Sequence, residues 1–351
     1  MKTEIIKVMS LDDDSTELLL RAAEVIKAGG LVVFPTETVY GLGADATNPE
    51  AAKKIYEAKG RPSDNPLIIH ISAPSDAERY AYTNETYYAL AKAFMPGPIT
   101  VILKAKDTVP METRAGLPTV AIRCPSHPVA RKLIDLSGVA IAAPSANISG
   151  TPSPTKASHV IDDMMGKVDV IIDGTDSEFG LESTIVSIGD GGELTLLRPG
   201  RITVDELRKV AQKVEIAPSV KSALKEGERP LSPGMKYKHY APKSPMYLLE
   251  GDPQKCAEYI KARAAISESV AVIAYDDDSL LYKSLSENVY VYLFGRREDE
   301  ITQAHLLFDI LRDADKRNFS EIYAPLPSED GIGLALYNRM IRAAAHHIIR
   351  M

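Results

Sequence analysis

The sequence predicts an α/β protein of two domains, and three observations carry that prediction. Up to about residue 214, short apolar runs that read as strands are mixed with stretches of helical spacing, which implies a mixed sheet. Residues 215–243 then break the pattern with four prolines, six Lys/Arg and three Glu, the composition of a linker. From residue 244 strands and helices alternate simply, as parallel βα units on a small open sheet do. A chain of 351 residues suits two domains at about 150 residues each. The expected boundaries are therefore 1–214, 215–243 and 244–351.

The elements follow in order. Asp12 to Ser15 offer an N-cap, Leu18 to Ala28 carry helical apolar spacing, and Gly29-Gly30 stop the helix. Leu31 to Phe34 is a strand running into Pro35, and Ala51 to Ala58 a helix ending at Lys59-Gly60. Further strands are expected at Leu67–Ile71, Thr100–Leu103, Thr119–Ile122, Ala140–Ala142, Val168–Ile172 and Thr184–Ile188. Helices are expected at Glu85–Phe94, Val129–Ser137, Lys156–Met165 and Val204–Val214. Beyond the linker, strands are expected at Met246–Leu249, Val270–Tyr275, Val289–Leu293 and Glu321–Ala324. Helices are expected there at Pro253–Ile266, Ile301–Ala314 and Leu334–Ala345.

Composition narrows the function classes. Apolar residues at 45% and charged residues at 25% are ordinary for a globular chain. A net charge of −7 argues against nonspecific DNA binding, which runs on phosphate neutralisation. Cys124 and Cys256 form no CxxC and no Cys/His cluster, so no metal site is expected. No apolar run approaches 18 residues and no secretory signal is visible, so a cytoplasmic location without membrane insertion is expected. There is no GxxxxGK[ST], no HExxH and no GxSxG, and Gly41-Leu42-Gly43 lacks the third glycine of a dinucleotide fingerprint.

What remains is a set of polar turns at strand ends. Phe34 to Gly43 (FPTETVYGLG) packs hydroxyls between Pro and Gly. Lys59 to Leu67 (KGRPSDNPL) sets two cations two residues apart, so Arg61 offers a bidentate clamp for phosphate or carboxylate. Arg123 ends an apolar strand and needs a partner there, either a substrate carboxylate or a structural acid. APSANISG (143–150) with Pro152 to Thr155 suits an anion-binding turn. ESTIV (182–186) and LRPG (197–200) complete the set. Alone, the first reads equally well as an ordinary loop, and the second reads better as a solvated basic turn. Together, open α/β sheets place ligands at such strand ends. Cations at 59, 61, 123 and 198 among neutral hydrogen-bonders suit a polyanion plus a small polar co-substrate.

PTETVYGLG, KGRPSDNPL, AIRCP, APSANISG, ESTIV and LRPG resemble, in order and spacing, the YrdC/Sua5 family. SPGMKYKHYAP in the linker and GIGLALYNRMIRAA near the end are similar to its two-domain Sua5 branch. The resemblance implies a YrdC-like catalytic domain with a twisted mixed sheet, a linker that acts as a lid, and a smaller Rossmann-like Sua5 domain. It implies that L-threonine, bicarbonate or CO2, and ATP carried with Mg²⁺ are combined to threonylcarbamoyl-AMP with release of pyrophosphate. The product would feed threonylcarbamoyl modification of adenosine 37 in tRNAs reading ANN codons, with tRNA reached through partner proteins. Lys59, Arg61, Ser145 and Asn147 match the family's catalytic tetrad. Thr36, His70, Arg123 and Ser183 would hold threonine, with Arg123 on its carboxylate. Lys59, Ser63, Thr119, Ser145, Asn147, Ser153 and Arg198 would hold the nucleotide, with Tyr240, beside Tyr237 and His239, reaching over it from the linker.

Two other readings remain beside it. An RNA-binding module without catalysis conflicts with the net charge of −7, the 6% aromatic content and the absence of Trp. A carbamoyl-phosphate-using relative, as in hydrogenase maturation, would need zinc-finger cysteines that two Cys residues do not supply.

Overall fold

The structure, a computed structural model, describes residues 2–222, 240–283 and 285–351. Tyr237 and His239 of the expected lid lie outside the described residues. The chain divides into two compact units, Met1–Ser149 with Ser153–Lys236, and Gly150–Pro152 with Tyr237–Met351.

In the first unit the strands are β1 (Glu4–Lys7), β2 (Val32–Phe34), β3 (Gly41–Asp45), β4 (Ile68–His70), β5 (Ala81–Tyr82), β6 (Ile99–Ala105), β7 (Thr119–Arg123), β8 (Ile141–Ala142), β9 (Val170–Asp173), β10 (Thr184–Ile188), β11 (Leu194–Arg198) and β12 (Val214–Ile216). Its helices are α1 (Asp13–Lys27), α2 (Pro49–Lys59), α3 (Glu85–Phe94), α4 (Met111–Arg114), α5 (Pro128–Ser137), α6 (Ala157–Met164) and α7 (Val204–Arg208). The described strands form one mixed sheet in the order β1-β9-β2-β3-β8-β4-β7-β6-β10-β11-β12, with β5 paired to β6. Helices α1 and α5 pack together on it, and Leu19, Ile26, Leu133 and Ile134 meet Val32, Ile141 and Ile172 in one buried cluster. Local signals set the helix ends: the Asp12 carboxylate accepts from Ser15 N at 2.8 Å, and Asn48 caps α2 with Pro49 at its first position.

The second unit is a five-stranded, all-parallel sheet. Its strands are β13 (Met246–Glu250), β14 (Val270–Ala274), β15 (Val289–Leu293), β16 (Glu321–Pro325) and β17 (Ile348–Arg350), in the order β15-β14-β16-β13-β17. Its helices are α8 (Pro253–Ala264), α9 (Ser279–Lys283), α10 (Glu300–Arg317) and α11 (Gly333–Ala343). With the right-handed crossovers that parallel sheets adopt, this strand order puts α8 and α9 on one face and α10 and α11 on the other, and each pair packs together.

Several expectations need correction. The helix expected over Val204–Val214 ends at Arg208, and Val214–Ile216 is instead an edge strand paired with Leu194–Leu196. Strand pairing of β-branched residues wins over a helical continuation there. The linker therefore starts later than residue 215, because β12 and the 3₁₀ turn Pro218–Val220 belong to the first unit's sheet. Gly41–Asp45, read as part of a turn, is the strand β3. Its glycines hide the apolar signal, yet a Cβ on Gly43 would lie 2.7 Å from both Phe34 Cε1 and Ile141 Cγ2. β1 and β17 were not expected, since each is a three- or four-residue strand whose pairing partner is remote in sequence. The terminal helix stops at Ala343 because Ala345 and His346 take left-handed backbone, φ 47° and 64°.

Candidate active site

Three of the four expected tetrad residues, Lys59, Ser145 and Asn147, gather around one buried ammonium. Lys59 closes α2, where Gly60 takes left-handed backbone (φ 60°) and lets the chain turn immediately. The lysine is 2% exposed. Its Nζ donates to the carbonyls of Ser145 and Asn147, the latter at 2.6 Å, and lies 3.3 Å from Asn147 Oδ1. Ser145 Oγ in turn donates to Asn147 Oδ1 at 2.6 Å. Backbone contacts hold the 143–149 turn in place, among them the Gly41–Ser145 bridge, Ala146 N donating to Tyr40 O at 2.8 Å, and Ser149 N donating to Lys59 O at 2.9 Å. A buried cation is tolerable only with such a cage of oxygens. Arg61 turns to a neighbouring stretch, donating from Nη2 to the carbonyls of Asn65 and Pro66 at 3.2 and 3.1 Å.

A second group lies in register across the sheet. His70 of β4 pairs with Arg123 of β7, and Arg123 with Thr100 of β6. Thr184 of β10 pairs with Ile99, which brings Ser183 alongside, and Ile185 pairs with Arg198 of β11. Thr100 Oγ1 and Ser183 Oγ are 2.7 Å apart. Arg198 grips Ser183 twice, Nε to the carbonyl at 3.0 Å and Nη2 to the hydroxyl at 3.1 Å. Thus Arg198, expected on the nucleotide, shares hydrogen bonds with Ser183, expected on threonine. Thr36 holds its own turn, donating to Val39 O at 2.6 Å and accepting from the amides of Thr38 and Val39.

The turn after β2 also supplies a residue the sequence reading passed over. Glu37 is buried, and its Oε1 lies 2.7 Å from Arg123 Nη2. The contact lacks hydrogen-bond geometry: both Glu37 oxygens, Arg123 Nε and Nη2, and His70 Nδ1 are buried without a hydrogen-bond partner. Buried polar atoms are nearly always satisfied, so such a cluster marks a place that a polar ligand completes. Burial, reinforced by the Arg123 charge, pulls His70 down to about 3, so its ring is neutral. Burial also holds His127 below the ordinary histidine value, against the opposing pull of Glu37. The signal for Glu37 was present in PTETVYGLG, an acid in a turn heading for the core.

Other expected residues are more dispersed. Ser153 is buried and donates to Glu182 Oε1 at 2.5 Å, which gives the acid of the ESTIV stretch a role. Thr119 opens β7, four residues and roughly 13 Å from Arg123 at its far end. Ser63 is exposed in the turn after α2. Tyr240 belongs to the second unit, where it takes left-handed backbone (φ 62°) and stacks on Phe308 at 5.3 Å between centroids. Among the described residues no group of three or more His, Cys, Asp or Glu is placed to hold a metal, and no helix is long and apolar enough to cross a membrane.

Comparison with known proteins places this geometry. Residues 24–200 match the family model Sua5_yciO_yrdC, described as "Telomere recombination". Residues 202–345 match Sua5_C, described as "Threonylcarbamoyl-AMP synthase, C-terminal domain". The chain is 43% identical to the threonylcarbamoyl-AMP synthase of Bacillus subtilis over all of both chains. It is also 43% identical to that of Pyrococcus abyssi, over 94% of this chain and 95% of the relative. The crystal structure of P. abyssi Sua5 complexed with L-threonine superposes with a TM-score of 0.89 at 39% identity, covering 99% of each chain. With both family models matched in succession, the chain belongs to the Sua5/YrdC/YciO family as a two-domain, nucleotidyltransferase-type enzyme.

Proposed function

We propose that the first unit condenses L-threonine, CO2 (or bicarbonate) and ATP to threonylcarbamoyl-AMP, releasing pyrophosphate. The observation that carries this reading is the buried Arg123–Glu37 pair, whose hydrogen-bonding atoms are unfilled. A zwitterionic α-amino acid complements it: the carboxylate on Arg123, the ammonium on Glu37, the side-chain hydroxyl near Ser183 and Thr100. In water the pair would be weak, but buried and preorganised it recognises both charges at once. The relative whose structure contains L-threonine supports the choice of amino acid.

The reaction then needs two anions to meet. Threonine's ammonium loses a proton to water, the freed nitrogen lone pair bonds to the carbon of CO2 as a C–O π bond opens, and loss of a second nitrogen proton to water leaves the carbamate. A carbamate oxygen bonds to the α-phosphorus while the bond to pyrophosphate breaks. Lys59 and Arg61 lower the repulsion between carbamate and triphosphate, and Ser145, Asn147, Ser63, Thr119, Ser153 and Arg198 position the nucleotide. Ser145 gives its proton to an amide oxygen, which is no base, so the hydroxyl is a positioning group rather than a nucleophile. Mg²⁺ enters as the metal of MgATP, held by the phosphates. The product serves threonylcarbamoylation of adenosine 37 in ANN-decoding tRNAs, completed by partner proteins.

The deciding experiment is pyrophosphate release with ATP, bicarbonate and each of the twenty amino acids. Release that needs both threonine and bicarbonate is expected. Silence across all twenty with folded protein overturns the reading.

A further inference from the structure

The second unit holds a cavity of about 310 Å³ over the carboxyl ends of β13, β14 and β16. It has no part in the reaction proposed above, and the inference drawn from it does not rest on that reading. The topology opens it. The chain leaving β13 and β14 goes to α8 and α9 on one face, and the chain leaving β16 goes to α11 on the other. Connections that diverge leave a crevice between them, the place where open α/β sheets take small molecules.

The walls define the ligand. The floor and sides are apolar and aromatic, with Ile260, Val272, Tyr275, Tyr282 and Tyr323 among them. The mouth is acidic: Glu250, Asp278 and Glu329 line it, and Asp276 and Asp277 sit beside Asp278. Among the described lining residues Arg297 is the single cation. Its charge is already used: it pairs with Asp278 at 2.5 Å and stacks over the Tyr275 ring at 4.5 Å from the centroid. The N-terminus of α8, where a phosphate sits in dinucleotide folds, is closed by its own acid. Asp252 Oδ1 accepts from the amides of Gln254 and Lys255 at 3.0 and 3.2 Å. Phosphate therefore meets carboxylates here rather than free N–H groups. A flat, uncharged ring system fits the tyrosine walls, and a hydroxyl donor such as a sugar fits the carboxylates after β14. The volume is at the lower end for an enclosed ligand and suits a base with its sugar.

We propose that this crevice binds an uncharged nucleoside and rejects the corresponding nucleotide. The test is hydrogen exchange on the full chain with adenosine, guanosine, cytidine and uridine, each against its 5′-monophosphate. Because the readout is positional, ligand held in the first unit does not confuse it. At least one nucleoside at millimolar concentration is expected to slow exchange threefold or more at 273–278 and 325–329, with the monophosphate giving at least tenfold weaker binding by titration of the same amides. Leu326→Trp, which fills the mouth, should abolish this protection while leaving pyrophosphate release unchanged. Asp278→Asn, a near-isosteric change, should weaken binding about tenfold and serves if the tryptophan variant misfolds. Absence of protection by all four nucleosides, equal protection by the monophosphates, or protection that survives both variants overturns the proposal.

Discussion

At the scale of single residues, burial decides which polar groups matter. Lys59 has at least three protein oxygens around its ammonium, and Lys59→Ala leaves the Ser145 and Asn147 carbonyls without it at about 1–3 kcal/mol each, while Asn147 Oδ1 keeps the Ser145 hydroxyl. The fold is expected to survive at a lowered Tm. The loss of charge at the reacting phosphate costs on the order of 10²–10³-fold in turnover. Pyrophosphate release by a variant with unchanged circular dichroism checks this. Glu37→Gln keeps the shape of the Arg123 contact but removes the anion, so KM for threonine should rise more than tenfold with little change in KM for ATP. Equal effects on both substrates would move Glu37 out of the amino-acid site. His70 makes a pH prediction. Its folded value of about 3 lies below the ordinary 6.5, so the unfolded chain takes up the proton first. The associated stability is complete above about pH 6.5 and drains as pH falls toward 3, with a slope of up to about 1.4 kcal/mol per pH unit. Urea midpoints across that range should flatten in His70→Gln. The sequence displayed Lys59, Arg123 and Ser183 because each stands in a recognisable turn. It concealed Thr100 inside an apolar strand and Glu37 beside two threonines, because which face a residue takes depends on strand register rather than on its neighbours.

At the scale of elements, register brings distant motifs together. The row from His70 to Arg198 exists because β4, β7, β6, β10 and β11 are adjacent in the sheet and in step. The turn after β11 is held by close backbone approach: a Cβ on Gly200 would lie 2.5 Å from Thr184 N and 2.8 Å from Glu182 O. Backbone cannot give way as a side chain does, so Gly200→Ala should cost about 1–3 kcal/mol and shift Ser183 with it. A lower Tm together with a raised KM for threonine is the expected result; a silent substitution would show that the turn is slack. Long amphipathic elements such as α1, α3 and α5 were legible because their spacing repeats over three turns. Short strands such as β1, β12 and β17 were not, since three or four residues hold too little periodicity and their pairing is decided by remote partners.

At the scale of the whole molecule, each unit has its own buried cluster, centred on α1 and α5 in the first and on α8 with β14 in the second. Residues 1–222 expressed alone should therefore fold cooperatively, with the circular dichroism of a mixed α/β protein. Loss of Tyr240 and the joining segment should nonetheless lower the threonylcarbamoyl-AMP recovered per pyrophosphate released tenfold or more, because a mixed anhydride left open to water hydrolyses after it forms. An unchanged ratio of product to pyrophosphate in the shortened chain would remove the lid from the mechanism. The two-part organisation was legible from the change of strand–helix pattern and from the proline- and charge-rich stretch between. The capture of Gly150–Pro152 by the second unit was not, because nothing local in those three residues announces a remote partner.

The sheet order also bears on how the chain is made. Among the described residues β1 pairs only with β9, so Glu4–Lys7 meets that ladder partner only once Val170–Asp173 has been synthesised. At roughly 5–20 residues per second the growing chain carries that unpaired edge for on the order of ten to thirty seconds. α1 and β2 emerge during the same interval without the strand that joins them to it. Closure of the first unit is thus a late, non-local event in its biogenesis, and ribosome-associated chaperones have a defined window in which to meet it.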